Sequence, residues 1–174
     1  MSGATATSSA RARTTRGRGL AVIAGIETQL SGWGLPAAVF VAVLFAGQLA
    51  VGMRSSAIAP INGDEPFYVI TSQSLVTDQD LDLRDEYGSL EYWSWWQGKV
   101  PLWRQMTPAP DGSLVSPHEP GLALLVAPAF AFAGVEGIQR FLVVLWSAAM
   151  ACGALLARRY GARPLAALTG GIVV

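Results

Sequence analysis

The chain has 174 residues, 52% of them hydrophobic and only 14% charged, with a mean hydropathy of +0.39. That balance is too apolar for an ordinary soluble domain and points to a membrane protein. The formal net charge of +0 hides a segregation. Arg11, Arg13, Arg16 and Arg18 open the chain, whereas every acid except Glu27 lies between Asp64 and Glu136. A lone cysteine excludes an intrachain disulfide, and a lone histidine with scattered acids makes no zinc-ligand set. Nucleic-acid binding has no support outside the basic tail.

Residues 1–32 read as a cytoplasmic basic tail, whose first part has almost nothing apolar to bury and is expected to be disordered. Residues 33–53, "WGLPAAVFVAVLFAGQLAVGM", form an uncharged run that spans roughly 31 Å as a helix, close to the thickness of a hydrocarbon core. This is the expected first transmembrane helix. A cleaved signal peptide is the alternative, although the run is longer than a signal core and begins far from Met1. Arginine before the span and acid after it place the N-terminus in the cytoplasm and residues 54–120 outside.

Within residues 121–137 the uncharged run 121–135 carries Pro128 and reaches about 22 Å as a helix, short of a crossing, so an interfacial or re-entrant helix is expected over 121–137. Residues 138–157 form the second expected span, and "RRYGAR", 158–163, a cytoplasmic turn. Residues 164–174 begin a third span that stops partway, which reads as the front part of a longer protein. The expected fold is therefore all-α: polytopic transmembrane helices with an extracytoplasmic loop of juxtamembrane helices, in a multi-pass protein of the cytoplasmic membrane. Cys152, inside an apolar run, reads as a small buried hydrophobe.

Within the outer loop, Pro66 suits the first position of a helix, with Asn62, Asp64 or Glu65 as caps. The pattern to Thr77 predicts a short amphipathic helix lying along the membrane surface. Asp64 and Glu65 then have two readings. They are acids favoured by a helix dipole, or adjacent carboxylates at the bilayer surface that hold a divalent cation or accept a proton from a hydroxyl group. The next stretch, "TDQDLDLRDEY", fails as a calcium loop because its sixth position is Leu83 and its twelfth Ser89. It reads as a solvated acidic turn with Leu81 and Leu83 packing on one side.

In "EYWSWWQGKVPLW" the rings of Tyr92, Trp93, Trp95, Trp96 and Trp103 fit an aromatic belt at the headgroup level, or surfaces that stack on a sugar or a prenyl chain. Lys99 and Arg104 are candidates for a lipid phosphate, one as a point charge and the other as a fork. His118, in "SPHEPG", reads first as a solvated or hydrogen-bonded structural histidine and is a candidate site residue beside that.

"GDEPFYVITSQSLVTDQDLDLRDEY" followed by "SPHEPGLALLVAPAFAFAG" resembles the front of the polytopic glycosyltransferases of the GT-C class, and among them the bacterial members of family 39, related to protein O-mannosyltransferases and lipid A aminoarabinose transferases. Asp64 and Glu65 match the family's Asp-Glu pair just past the first span. His118, Pro120 and Gly121 match its later His-Pro-rich segment, with Glu119 standing where that pattern has proline. The resemblance implies transfer of a sugar from a polyprenyl-phosphate donor to a hydroxyl on an extracytoplasmic lipid, glycan or protein acceptor. It makes Asp64 the base, Glu65 the residue that orients it or helps to hold a divalent cation, and Arg104 or Lys99 the partner of the departing phosphate. The rival reading is a non-enzymatic membrane protein, an assembly subunit or a piece of a transporter, whose acids only cap and solubilise.

Overall fold

The structure, a computed structural model, describes Gly25, residues 32–53 and 61–173, with the backbone alone for 172 and 173. Most of the expected basic tail, residues 54–60 at the start of the outer loop, and Val174 lie outside the described residues. The fold is all-α. Its helices are α1 (Gly34–Ala50), α2 (Glu65–Thr77), α3 (Arg84–Ser89), α4 (Pro120–Arg159) and α5 (Pro164–Val173), with a 3₁₀ turn at Glu91–Ser94. Extended pairing among the described residues is a lone antiparallel bridge between Asp82 and Val115. Two compact units result, one from Met1–Phe45 with Trp146–Val174 and one from Ala46–Leu145.

The first unit packs Leu35 and Val39 of α1 against Ala154 of α4 and Ala167 of α5. Small residues at such contacts let helix backbones approach closely. The C-terminal end of α4 is closed by Gly161 at φ +87, with Ala162 N–H donating to Ala157 O at 3.0 Å and Gly161 N–H to Arg158 O at 3.0 Å. This is the Schellman arrangement, and Pro164 then starts α5. Cys152 is exposed, not buried as its apolar surroundings in the sequence suggested. Its neighbours supply hydrophobicity without supplying a core, because the packed face of α4 here is the one bearing Ala154.

The second unit is built around α2. Pro66 occupies the helix's first turn, and Phe67, Val69 and Ile70 enter a core with Leu83, Tyr92 and Val126. Burial continues through Thr71, Ser72, Gln73 and Ser74, so α2 is covered on most of its circumference. The expected amphipathic pattern is thereby corrected: α2 is buried on most sides and is the central element of its unit. Its polar residues are buried because each finds a partner. Thr71 Oγ1 donates to Phe67 O at 2.8 Å, Ser72 Oγ to Ala123 O at 3.1 Å, and Ser74 Oγ to Asp80 O at 3.1 Å.

Segment Pro120–Arg159 is, among the described residues, the one helix long and apolar enough to cross a membrane; Gly34–Ala50 is apolar but has only 17 residues. It is not one rod. Ala133 (φ −150, ψ 27) and Gly134 (φ 58, ψ −144) leave helical geometry, the latter in a conformation that only glycine adopts readily. A Cβ added at Gly137 would collide with the carbonyl oxygen of Ala129, and Val126 of the first arm lines the same cavity as Ile138 and Leu142 of the second. The arms thus fold against each other. The second, residues 135–159, is about 38 Å long and exceeds a ~30 Å hydrocarbon core.

The acidic turn after α2 is more than a solvated connection. Asp82 Oδ1 accepts the Leu114 N–H at 2.9 Å and its Oδ2 the Arg84 Nε–H at 2.7 Å, while Leu83 N–H donates to Leu114 O at 2.8 Å. These bonds hold the Asp82 carboxyl below its ordinary range. Leu83 is fully buried, and Leu81 is half-buried.

Two outcomes follow. Gly137→Ala should destabilise the chain by on the order of 1–3 kcal/mol, since the obstructing atom is backbone and the arms must separate to admit a methyl group; denaturant unfolding in detergent measures this. Asp82→Ala should accelerate hydrogen exchange at the Leu114 amide while leaving exchange across α5 unchanged. An equal rate at Leu114 in both proteins would show that the tie is dispensable.

Candidate functional site

The N-terminus of α2 brings several candidate residues together. Asp64 is the N-cap by position, yet its backbone is helical (φ −89, ψ −10) and its side chain makes no capping bond. Glu65, at the first position of the helix, accepts the Asn62 N–H through Oε2 at 3.1 Å and so closes the turn that leads into α2. The Asp64 carboxylate remains 66% exposed, with its Oδ1 3.8 Å from His118 Nε2. His118, just ahead of α4, also places Nε2 2.5 Å from Gln105 Oε1. Its ring stacks on Phe67 at 5.6 Å and lies tilted over Tyr68 at 5.2 Å.

Residues far apart in sequence thus form one polar patch: Asp64, His118 and Gln105 on a base of aromatic rings. Tyr68 joins this patch to an apolar cavity of about 110 Å³, whose polar lining residues are Glu65, Gln139 and Tyr68 itself. Aspartate and imidazole at this separation form an ion pair when the ring is protonated. The Asp64 carboxylate is the exposed member of the pair, so a hydroxyl group arriving there meets a carboxylate able to accept its proton.

The cationic candidates lie elsewhere in the loop. Arg104 places its guanidinium 5.3 Å above the Tyr87 ring, a cation–π contact. Lys99 is exposed and forms no ion pair among the described residues. The structure gives neither a contact with Asp64. Nor do the aromatics form a single belt. Tyr92 and Trp95 are buried, and Trp95 Nε1 donates to the buried Gln73 Oε1 at 2.7 Å, whereas Trp93 and Trp103 are exposed. Trp103 meets Phe67 edge-on at 5.9 Å.

Sequence reasoning passed over Glu86. On α3 it follows Leu83 by three positions and precedes Tyr87, which puts all three on one helical face; that face is buried. Glu86 is 2% exposed, and neither carboxylate oxygen has a hydrogen-bond partner. Burial, followed by repulsion from Asp85, pushes its carboxyl from an ordinary 4.5 up to about 8. Tyr87 beside it is pushed up to about 12, chiefly by burial. The readable signal was an acid in register with two apolar residues, masked by the acids around it.

No protein family, curated protein or solved structure matches the chain at a significant level.

The Glu86 shift has a definite sign. The folded state binds this proton more tightly than the unfolded chain, so the associated stability is fully present below pH 4.5 and is lost as pH rises through about 8. With divalent cations chelated, the loss should be on the order of 2–3 kcal/mol after allowance for solvent screening. Glu86→Gln should flatten this part of the pH profile, as followed by chemical denaturation at stepped pH.

Proposed function

We propose that the chain is a membrane glycosyltransferase, or the N-terminal part of one, that transfers a sugar from a polyprenyl-phosphate donor to an extracytoplasmic hydroxyl acceptor. One observation carries this reading: an exposed Asp64 carboxylate, unused in capping, lies 3.8 Å from His118 and is joined through Tyr68 to an apolar cavity. A polar centre beside an apolar recess suits a substrate whose reactive head is sugar phosphate and whose tail is hydrocarbon. The resemblance in sequence supplies the reaction class. In that reaction the acceptor oxygen bonds to the anomeric carbon, the bond from that carbon to phosphate oxygen breaks, and the hydroxyl proton passes to Asp64.

The membrane part of the proposal is a multi-pass topology with a cytoplasmic N-terminus. It rests on the length and composition of Pro120–Arg159, on apolar side chains of α1 and α4 left at the surface, among them Phe45, Leu49, Leu125 and Trp146, and on the arginines ahead of α1. Glu65, engaged with Asn62 N–H, serves chiefly to orient the turn that presents Asp64. The same bond favours the second reading, a non-enzymatic membrane subunit in which the acids only shape the start of α2 and solubilise it.

Membranes containing the full-length gene product, supplied with a radiolabelled polyprenyl-phosphate sugar pool, separate the two. Asp64→Asn should lower transfer by roughly 10²–10⁴-fold, the range for removal of a general base, with unchanged membrane insertion. Equal transfer by both proteins would remove Asp64 from the chemistry. For topology, single cysteines in place of Ser8 and of Asp111, in a Cys152→Ser background, should react with impermeant maleimide only from the inner and only from the outer face, respectively.

A further inference from the structure

We propose that Asp78, Asp85 and Glu86 form a binding site for a hard divalent cation, calcium foremost, that ties the end of α2 to the start of α3. One oxygen from each of the three carboxylates lies within 4.8 Å of the others. Oxygens on one calcium ion at 2.3–2.6 Å stand at most about 5 Å apart, so the set fits a single ion.

Acidic side chains often crowd together at protein surfaces, and Asp78 and Asp85 are themselves exposed. Glu86 distinguishes this group. Its carboxylate is 2% exposed, neither of its oxygens receives a hydrogen bond, and it faces the two aspartates. A buried carboxylate that receives no hydrogen bond carries a desolvation cost when ionised, which a cation held between it and the two aspartates would offset. Arg84, next to Asp85 in the chain, does not fill the role, because it is engaged by Asp82 through Nε at 2.7 Å and Nη2 at 2.6 Å.

Donor chemistry sets the class of ion. Three carboxylates with neither histidine nor cysteine favour a hard cation over zinc or copper. Two ligands are at the rim, where water completes the shell, and they come from a helix end and a helix first turn. Calcium, which takes six to eight oxygens in flexible geometry, suits that arrangement better than magnesium with its strict octahedron. The affinity expected of such an outward-facing site with only three protein ligands is about 10⁻⁴–10⁻³ M. This site is separate from Asp64 and Glu65, and the inference is independent of the transferase reading.

The test uses the full chain in detergent micelles, with thermal unfolding followed by tryptophan fluorescence in EDTA, in 5 mM calcium chloride and in 5 mM magnesium chloride at constant ionic strength. Calcium should raise the unfolding midpoint by several degrees, saturably and more than magnesium does. Asp78→Asn, a near-isosteric change at an exposed residue, should weaken the calcium response, and Glu86→Gln should abolish it. The proposal is overturned if the parent unfolds at the same temperature in EDTA and calcium, or if both variants keep the parent's response. A magnesium response equal to that of calcium overturns the choice of ion.

Discussion

Three neighbouring polar side chains in the interior of α2 fix the unit around them. Ser72 reaches the carbonyl of Ala123, Gln73 accepts from the indole of Trp95, and Ser74 reaches the backbone and side chain of Asp80. Each bond adds only about 1 kcal/mol net, but leaving such a buried group unpaired costs about 1–3 kcal/mol. A slip of α2 by one residue would break all three together. The helix is therefore locked in register against the first arm of α4, the aromatic segment and the acidic turn, and hydrophobic contact alone would not impose that register.

The position of the candidate site follows from this lock. Asp64 begins α2 and His118 immediately precedes α4, so the register between the two helices brings carboxylate and imidazole together across residues that share no local structure. Phe67 completes the support: its ring lies under His118 on one side and meets Trp103 on another. The polar patch belongs to loop and helix-end residues, while the rigidity that holds it comes from a buried helix.

What the sequence disclosed was local. Pro66 at a helix start, an apolar helix after Gly32 and the close of α4 at Arg158 and Arg159 all follow from propensity, capping and charge that a few residues carry. The side of α2 that is buried was not legible, because "TSQS" reads as a solvent face until Ala123, Trp95 and Asp80 are known to lie against it. Trp95 reads as part of a belt for the same reason: the partner of its indole N–H, Gln73, is distant in sequence. The break in α4 falls at Ala133 and Gly134, and neither Pro128 nor charge marked it. The signal lay in glycine at 134 and 137, where one backbone needs positive φ and the other needs room for a neighbouring carbonyl. The pairing of Asp64 with His118 was legible only as two residues of a resembled pattern, and their proximity required the fold.

The acids of this loop show why residue type alone does not assign a function. Asp82 is surrounded by donors from Arg84 and Leu114, so its charge is neutralised within the chain and its function is to hold a turn. Asp64 is largely exposed, with its Oδ1 3.8 Å from His118 Nε2, and makes no capping bond, so its oxygens stay open to a proton or a ligand. Glu86 has no donor and no solvent. A carboxylate in that state must take up either a proton or a cation, since the low-dielectric interior will not hold it bare. Partnering thus sorts side chains of nearly identical chemistry into a structural tie, an exposed carboxylate and a buried acid that takes up a proton or a cation.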